Sequence, residues 1–230
     1  MSERLGSERF GGFLDRLPLI AILRGVTPDE VVPIGEALVT AGFSIIEVPL
    51  NSPHPLDSIR RLSAALPPTC LIGAGTVLDP ALVPDIAAAG ARLIVMPHGD
   101  AAVVRAAKAA GMFCTPGVAT PTEGFAALAN GADALKLFPA EALGAIGLKA
   151  WRSVFPSEAI FLPVGGITPE TLGPFLAAGA SGFGIGSALY KPGSTAHDVA
   201  ANARTFADAW RKTQAQPAGG SAAASRRAPV

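Results

Sequence analysis

The first residue that could do chemistry is a lysine in an apolar setting. The chain has five lysines: Lys108, Lys136, Lys149, Lys191 and Lys212. Lys108, Lys149 and Lys212 fall in helical stretches and Lys191 follows a late apolar run, positions where a solvated ammonium is the default. Lys136 stands in Asp133-Ala-Leu-Lys-Leu-Phe-Pro139, in the middle of such a run. Burial disfavours an unpaired ammonium, so the amine is pushed toward its neutral form. A neutral amine is the nucleophile that attacks a ketone and gives a Schiff base. Glu47 is the second anomaly, inside Ser44-Ile-Ile-Glu-Val-Pro-Leu50. A carboxyl group there can pair with Lys136 and move protons as a general acid and base. The plainer alternatives are a lysine held in a buried salt bridge and a glutamate that only pairs with Lys136 or Arg24. Arg24 ends Ile22-Leu-Arg-Gly25 and suits a carboxylate or phosphate, or else orients its neighbours.

Three glycine-rich segments follow apolar runs: Gly73-Ala-Gly75-Thr76, Gly165-Gly166, and Gly184-Ile-Gly186-Ser187. Glycine lets backbone N–H groups approach phosphate oxygens closely. Each segment alone is a weak signal, and each is also compatible with a simple turn. His54, His98 and His197 show no H-x-H or H-E-x-x-H spacing, so no metal is expected.

These residues need a scaffold, and the chain repeats one unit. Apolar runs at 17–23, 44–50, 70–73, 93–96, 112–115, 134–138, 160–164 and 182–186 read as eight buried strands. Alanine-rich segments with helical patterning lie between them. Thr27-Pro28, Asp79-Pro80 and Thr168-Pro169 look like helix starts, a capping residue followed by proline. Gly42, Gly90, Gly111, Gly131 and Gly179 look like helix stops. Alternating strands and helices imply a parallel sheet, and the count of eight favours an α/β fold of the single (β/α)8 TIM-barrel type over an open sheet. In that fold the active site lies at the C-terminal ends of the strands. Its phosphate site is built from the loops after strands seven and eight, where Gly165, Gly166, Gly186 and Ser187 stand. Residues 1–16 read as an N-terminal extension with a short helix against the barrel bottom, 17–213 as the barrel domain, and 214–230 as a disordered tail.

Composition narrows the partners. Half of the 230 residues are hydrophobic, 16% are charged, and the net charge is zero. No basic excess exists to attract nucleic acid or anionic lipid, and no run of apolar residues is long enough to span a membrane. Cys70 and Cys114 are isolated in apolar runs, which fits buried thiols in a reducing cytoplasm rather than a disulfide framework.

Five segments occur in order: Glu47-Val-Pro-Leu-Asn-Ser-Pro53, Gly73-Ala-Gly-Thr-Val-Leu78, Leu135-Lys-Leu-Phe-Pro139, Pro163-Val-Gly-Gly-Ile167 and Gly184-Ile-Gly-Ser187. In them the chain resembles the family of 2-keto-3-deoxy-6-phosphogluconate and 2-keto-3-deoxy-6-phosphogalactonate aldolases, over about residues 17–210. It is more similar to the phosphogalactonate branch in Ile22-Leu-Arg-Gly25, in Asn51 and in Val164. Phe138-Pro-Ala-Glu141 is closer to the phosphogluconate branch. The resemblance implies a cofactor-free, metal-independent class I aldolase, a homotrimer, acting on a phosphorylated keto-deoxy sugar acid. It implies that Lys136 forms the Schiff base and that Glu47 shuttles protons. Arg24, Gly75 and Thr76 would hold the pyruvate carboxylate, with Pro97 and Phe138 walling the pyruvyl group. Gly165, Gly166, Gly186 and Ser187 would hold the phosphate, and Val164 would lie along the substrate between its charged ends. A phosphosugar epimerase or thiamine-type barrel synthase would share the phosphate loops but wants different catalytic groups. A phosphate-binding sensor would need neither Lys136 nor Glu47.

Overall fold

The computed structural model describes residues 10–215. The chain runs α1(Phe10–Leu14), β1(Leu19–Ile22), α2(Val31–Thr40), β2(Ile45–Pro49), α3(Pro55–Ala65), β3(Leu71–Gly75), α4(Val83–Ala88), β4(Leu93–Val95), α5(Ala101–Ala109), β5(Phe113–Thr115), β6(Gly117–Val118), α6(Pro121–Ala129), β7(Leu135–Leu137), α7(Ala140–Arg152), β8(Phe161–Pro163), α8(Leu172–Ala177), β9(Phe183–Ile185) and α9(Ala196–Ala215). The expected tail lies outside the described residues beyond Ala215, and α9 takes in its first two positions.

All strand pairs are parallel. Six strands pair in the order β5-β4-β3-β2-β1-β9 and three in the order β6-β7-β8. An isolated parallel bridge between Val164 and Gly184 touches both groups. The fold is therefore an α/β arrangement with a curled parallel sheet. The fifth apolar run holds β5, and a further short strand that was not expected, β6, follows beyond Pro116. Proline has no N–H for the ladder, so pairing resumes only at Gly117, opposite Lys136.

Side chains alternate strictly across this sheet. Ile20, Ile45, Leu71, Leu93, Val95, Phe113, Ala134 and Leu162 form an inner cluster, closed at one end by Phe10 and Leu14 of α1. Their strand neighbours Ala21, Ile46, Ile72, Ile94, Cys114, Leu135 and Phe161 belong to the larger cluster that also takes in the helices. Glu47 is two residues beyond Ile45, and Lys136 two beyond Ala134. Both therefore share the inner parity, above an apolar floor. Among the described residues no helix is long and apolar enough to cross a membrane.

The three proline starts open a turn before their helices. Glu30 N and Val31 N both donate to Thr27 O, and α2 begins only at Val31. Thr171 N donates to Thr168 O ahead of α8. Pro80 opens a 3-10 turn, Pro80–Leu82, ahead of α4. The five glycine stops are all left-handed, with φ between 71° and 104°.

Arg152, near the end of α7, ties the helix layer to the sheet. Its Nε and Nη2 donate to Gly179 O at 2.8 and 2.6 Å, Nη1 to Ala159 O at 2.7 Å, and Nη2 to Ser181 Oγ at 3.0 Å. The guanidinium also lies 4.6 Å from the Phe161 ring centroid. Arg152→Ala leaves these carbonyls without their donor and removes the packed stem. It is expected to cost about 2–4 kcal/mol, read as a lower urea midpoint at unchanged slope; a shift under about 0.5 kcal/mol would show that water replaces the guanidinium freely.

Candidate active site

The strand ends expected to hold the site do converge. Arg24 follows β1, Thr76 follows β3, and Phe138 follows β7. Val164, Gly165 and Gly166 follow β8, and Gly186 and Ser187 follow β9. A cavity of about 360 Å³ opens among them, with Arg24, Lys136, Phe138 and Val164 in its wall together with both glycine loops. A larger hollow, about 470 Å³, lies among Gly42, Phe43, Ser44, Thr69 and Cys70, beside Phe13 and Arg16. Those residues precede β2 and β3, so it is at the N-terminal end of the sheet. It holds no pair of groups that could exchange a proton with a substrate carbon, and the smaller cavity is the chemical one.

Lys136 is 5% exposed and Glu47 2%. Desolvation pushes the Lys136 amine below the ordinary lysine range; the Glu47 carboxylate opposes this and Arg24 adds to it. The same burial raises the Glu47 carboxyl above the ordinary range, against the pull of Lys136 and Arg24. Desolvation is the largest influence on both, so each is shifted toward its neutral form. Glu47 Oε2 is buried against Gly75 without a hydrogen-bond partner among the described residues, a costly state. The Lys136 Nζ lies 4.9 Å from the centroid of the Phe138 ring, which is 38% exposed and lines the same cavity.

Room for this carboxyl is made by glycine. A Cβ on Gly75 would overlap the Glu47 carboxylate, so the residue expected to offer its backbone to a ligand also vacates the volume Glu47 fills. Next to it, Thr76 is held at φ 54°, which costs a β-branched residue of order 1–3 kcal/mol. Arg24 Nη1 donates to Thr76 Oγ1 at 3.3 Å and to Asn51 Oδ1 at 2.6 Å. Asn51 marked a branch of the family in the sequence; here it is a direct partner of the rim arginine.

The β8 loop is equally tight. Val164 N donates to Leu137 O and Val164 O accepts from Ala140 N, both at 2.9 Å. This fixes Val164 between β7 and α7. Gly165 and Gly166 follow at φ 104° and 65°. The Glu141 carboxylate packs against them, its Oε2 only 2.5 Å from where a Gly165 Cβ would stand. By contrast, Gly186 has open space around its missing Cβ.

Several expected positions read differently. Glu47, Gly75 and Thr76 are not among the residues that line the cavity; Thr76 reaches it only through its hydrogen bond from Arg24, and Gly75 packs on Glu47. Pro97 does not line the cavity; its carbonyl packs tightly on Gly117, where a Cβ would overlap it. Lys191 is exposed, in keeping with the reading as a solvated residue, and it also stands in the cavity wall with Tyr190 and Pro192. Its proximity to Gly186 and Ser187 in the sequence was the available signal. Lys108 is also not simply solvated, since its Nζ binds Asp133 at 2.7 Å. Among the described residues no three His, Cys, Asp or Glu side chains are grouped to hold a metal ion.

The burial of Glu47 has a measurable consequence. Above its ordinary value of 4.5 the unfolded chain has lost this proton while the folded chain keeps it. Stability therefore falls as pH rises, up to the raised folded value. Glu47→Gln removes that loss, and by deleting the attraction on Lys136 it lowers that amine further, which acts in the same direction. The melting temperature of Glu47→Gln relative to wild type is expected to climb as pH rises from about 4.5. A difference that stays flat between pH ~4.5 and ~8 would mean that Glu47 ionises in the fold as freely as in the unfolded chain.

Comparisons with known proteins place the chain in a family. A family model for KDPG and KHG aldolase matches residues 12–220. The chain is 49% identical over 182 residues to the probable 2-dehydro-3-deoxy-6-phosphogalactonate aldolase of Rhizobium meliloti (strain 1021), covering 79% of this chain and 86% of that protein. It is 46% identical over 197 residues to the 2-dehydro-3-deoxy-6-phosphogalactonate aldolase of Escherichia coli (strain K12), covering 86% and 96%. The solved structure described as native KDPGal superposes with a TM-score of 0.85 at 46% identity, over 87% of this chain and 97% of that one.

Proposed function

We infer the reaction from one premise: the chain belongs to the KDPG and KHG aldolase family. It is a class I aldolase that cleaves 2-dehydro-3-deoxy-6-phosphogalactonate reversibly to pyruvate and D-glyceraldehyde 3-phosphate. The observation that carries this reading is a buried lysine, shifted toward its neutral amine, sharing an inner face with an acid that has an uncommitted oxygen.

Lys136 Nζ attacks the C2 ketone; the carbinolamine loses water and becomes an iminium. The C4 hydroxyl gives up its proton and the C3–C4 bond breaks. Its electron pair flows to the iminium, leaving an enamine on Lys136, and C4 departs as the aldehyde of glyceraldehyde 3-phosphate. The enamine takes a proton at C3, and water hydrolyses the resulting iminium to pyruvate and free amine. Glu47 carries protons in these steps, its raised pKa giving it the acid form that a protonation needs. Arg24, oriented by Asn51 and Thr76, holds the carboxylate beside Gly75. Phe138 covers the pyruvyl group with Pro97 behind it. Gly165, Gly166, Gly186 and Ser187 take the phosphate.

Residues 17–213 form one domain in this reading. Its two sheets close into a single (β/α)8 barrel. The Val164–Gly184 bridge at one seam and the continuity of β5 into β6 at the other support that closure. The enzyme works in the cytoplasm, a reading supported by the free, buried thiols of Cys70 and Cys114, and as a homotrimer, as its likeness to the family implies.

Borohydride reduction in the presence of pyruvate should add a pyruvate-derived mass to the peptide containing Lys136 and to no peptide of Lys136→Ala. Capture on a different lysine would overturn the assignment. Substrate preference rests on Val164, whose side chain lines the cavity and can neither donate nor accept. Threonine there offers a hydroxyl of nearly the same size. One such hydrogen bond is worth about 0.5–1.5 kcal/mol, a several-fold to about tenfold effect. Wild type is expected to favour the galactonate epimer by kcat/KM, and Val164→Thr to raise relative activity on the gluconate epimer. Wild-type preference for the gluconate epimer would instead favour the phosphogluconate aldolase reading, to which Phe138-Pro-Ala-Glu141 points.

A further inference from the structure

We propose that Lys191 is the cation that binds the substrate's phosphate. This rests on the aldolase reading above and supplies the charged group that its glycine loops lack. Three basic side chains line the cavity: Arg24, Lys136 and Lys191. Arg24 is committed to Asn51 and Thr76, and Lys136 is the buried amine of the reaction. Lys191 is exposed, and among the described residues no acid pairs with its ammonium.

Its backbone, in contrast, is fixed on every side. The Tyr190 hydroxyl donates to Glu30 Oε1 at 2.8 Å. Pro192 packs on Gly25, where a Cβ would come within 2.7 Å of the proline ring. Lys191 N donates to Ser194 Oγ at 3.3 Å, and Lys191 O accepts from Ser194 N at 2.9 Å. The loop after β9 is thus pinned to the loop after β1, with the lysine stem anchored close to Gly186 and Ser187 and its charged end free to reach a ligand. Such an arrangement suits phosphate, which lysine binds as a point charge.

The electrostatics call for a cation at this end. The Glu141 carboxylate packs against Gly165 and Gly166. Glu141 is exposed and outside the cavity wall, yet it stands beside the glycines a phosphate dianion would settle on, and a positive charge on the cavity side offsets the repulsion between the two. Lys191 is the uncommitted positive charge available.

The test is calorimetric binding of sn-glycerol 3-phosphate, an unreactive phosphomonoester, to the full chain. Lys191→Ala is expected to weaken binding about tenfold, Lys191→Arg to restore most of it, and the salt dependence of binding to flatten in the alanine variant. Lys191→Gln keeps the stem and removes the charge, and decides the matter if the alanine variant fails to fold. Borohydride trapping with pyruvate is read on the same preparations and reports on Lys136 alone. Binding within about twofold of wild type in the uncharged variants, with trapping intact, overturns the role of Lys191 and leaves the aldolase standing. Absence of trapping in wild type overturns the aldolase and this inference with it.

Discussion

An amine and a carboxyl group buried on one inner face, with one carboxyl oxygen unsatisfied, set the terms for the rest of the molecule. Taking charges out of water costs several kcal/mol per ion, and a pair recovers that only with good geometry and full hydrogen bonding. Glu47 lacks the latter at one oxygen. The fold keeps Glu47 and Lys136 nonetheless, because period-two alternation commits both to the interior once Ile45 and Ala134 are committed to the floor. The energy that holds them comes from the surrounding apolar layers. Their own interaction only moderates the cost, which is why both are shifted toward the neutral state.

Much of the fold was legible because its signals are local. Strand parity depends on adjacent residues, and the glycine stops depend on a left-handed backbone that only glycine adopts without cost. Gly42, Gly90, Gly111, Gly131 and Gly179 all behave accordingly. The helix starts were less legible. Thr27-Pro28 does begin a turn, but whether that turn runs straight into an α-helix depends on the loop packing above it. The interruption at Pro116 was readable from the missing N–H, yet an apolar run that ends just before it hides the resumption at Gly117.

For the site, residues whose type conflicts with their surroundings stood out: a lysine and a glutamate in apolar strands, and glycines at strand ends. Residues of ordinary type in ordinary surroundings did not. Asn51, Glu141 and Lys191 matter through partners distant in the chain, and a lysine beyond a strand looks solvated until the cavity next to it is seen. Pro97 shows the reverse case. A position carried over by resemblance sits at the right strand end, but its contact is with Gly117 and not with the cavity.

The overlap between a Gly75 side chain and the Glu47 carboxylate has a bearing on how this sequence can change. The two positions form a lock in sequence space. Position 75 tolerates no β-carbon while residue 47 keeps its full length, and residue 47 cannot retract without leaving a void against Gly75. A survey of single substitutions would score both as immutable and miss that they are one constraint. Paired changes, a shorter acid at 47 with alanine at 75, would be epistatic, each partly compensating the other. Divergence of this inner wall should therefore proceed by coupled steps, while the outward-facing neighbours Val48 and Ala74, buried in the larger core, change only in step with the helices that cover them.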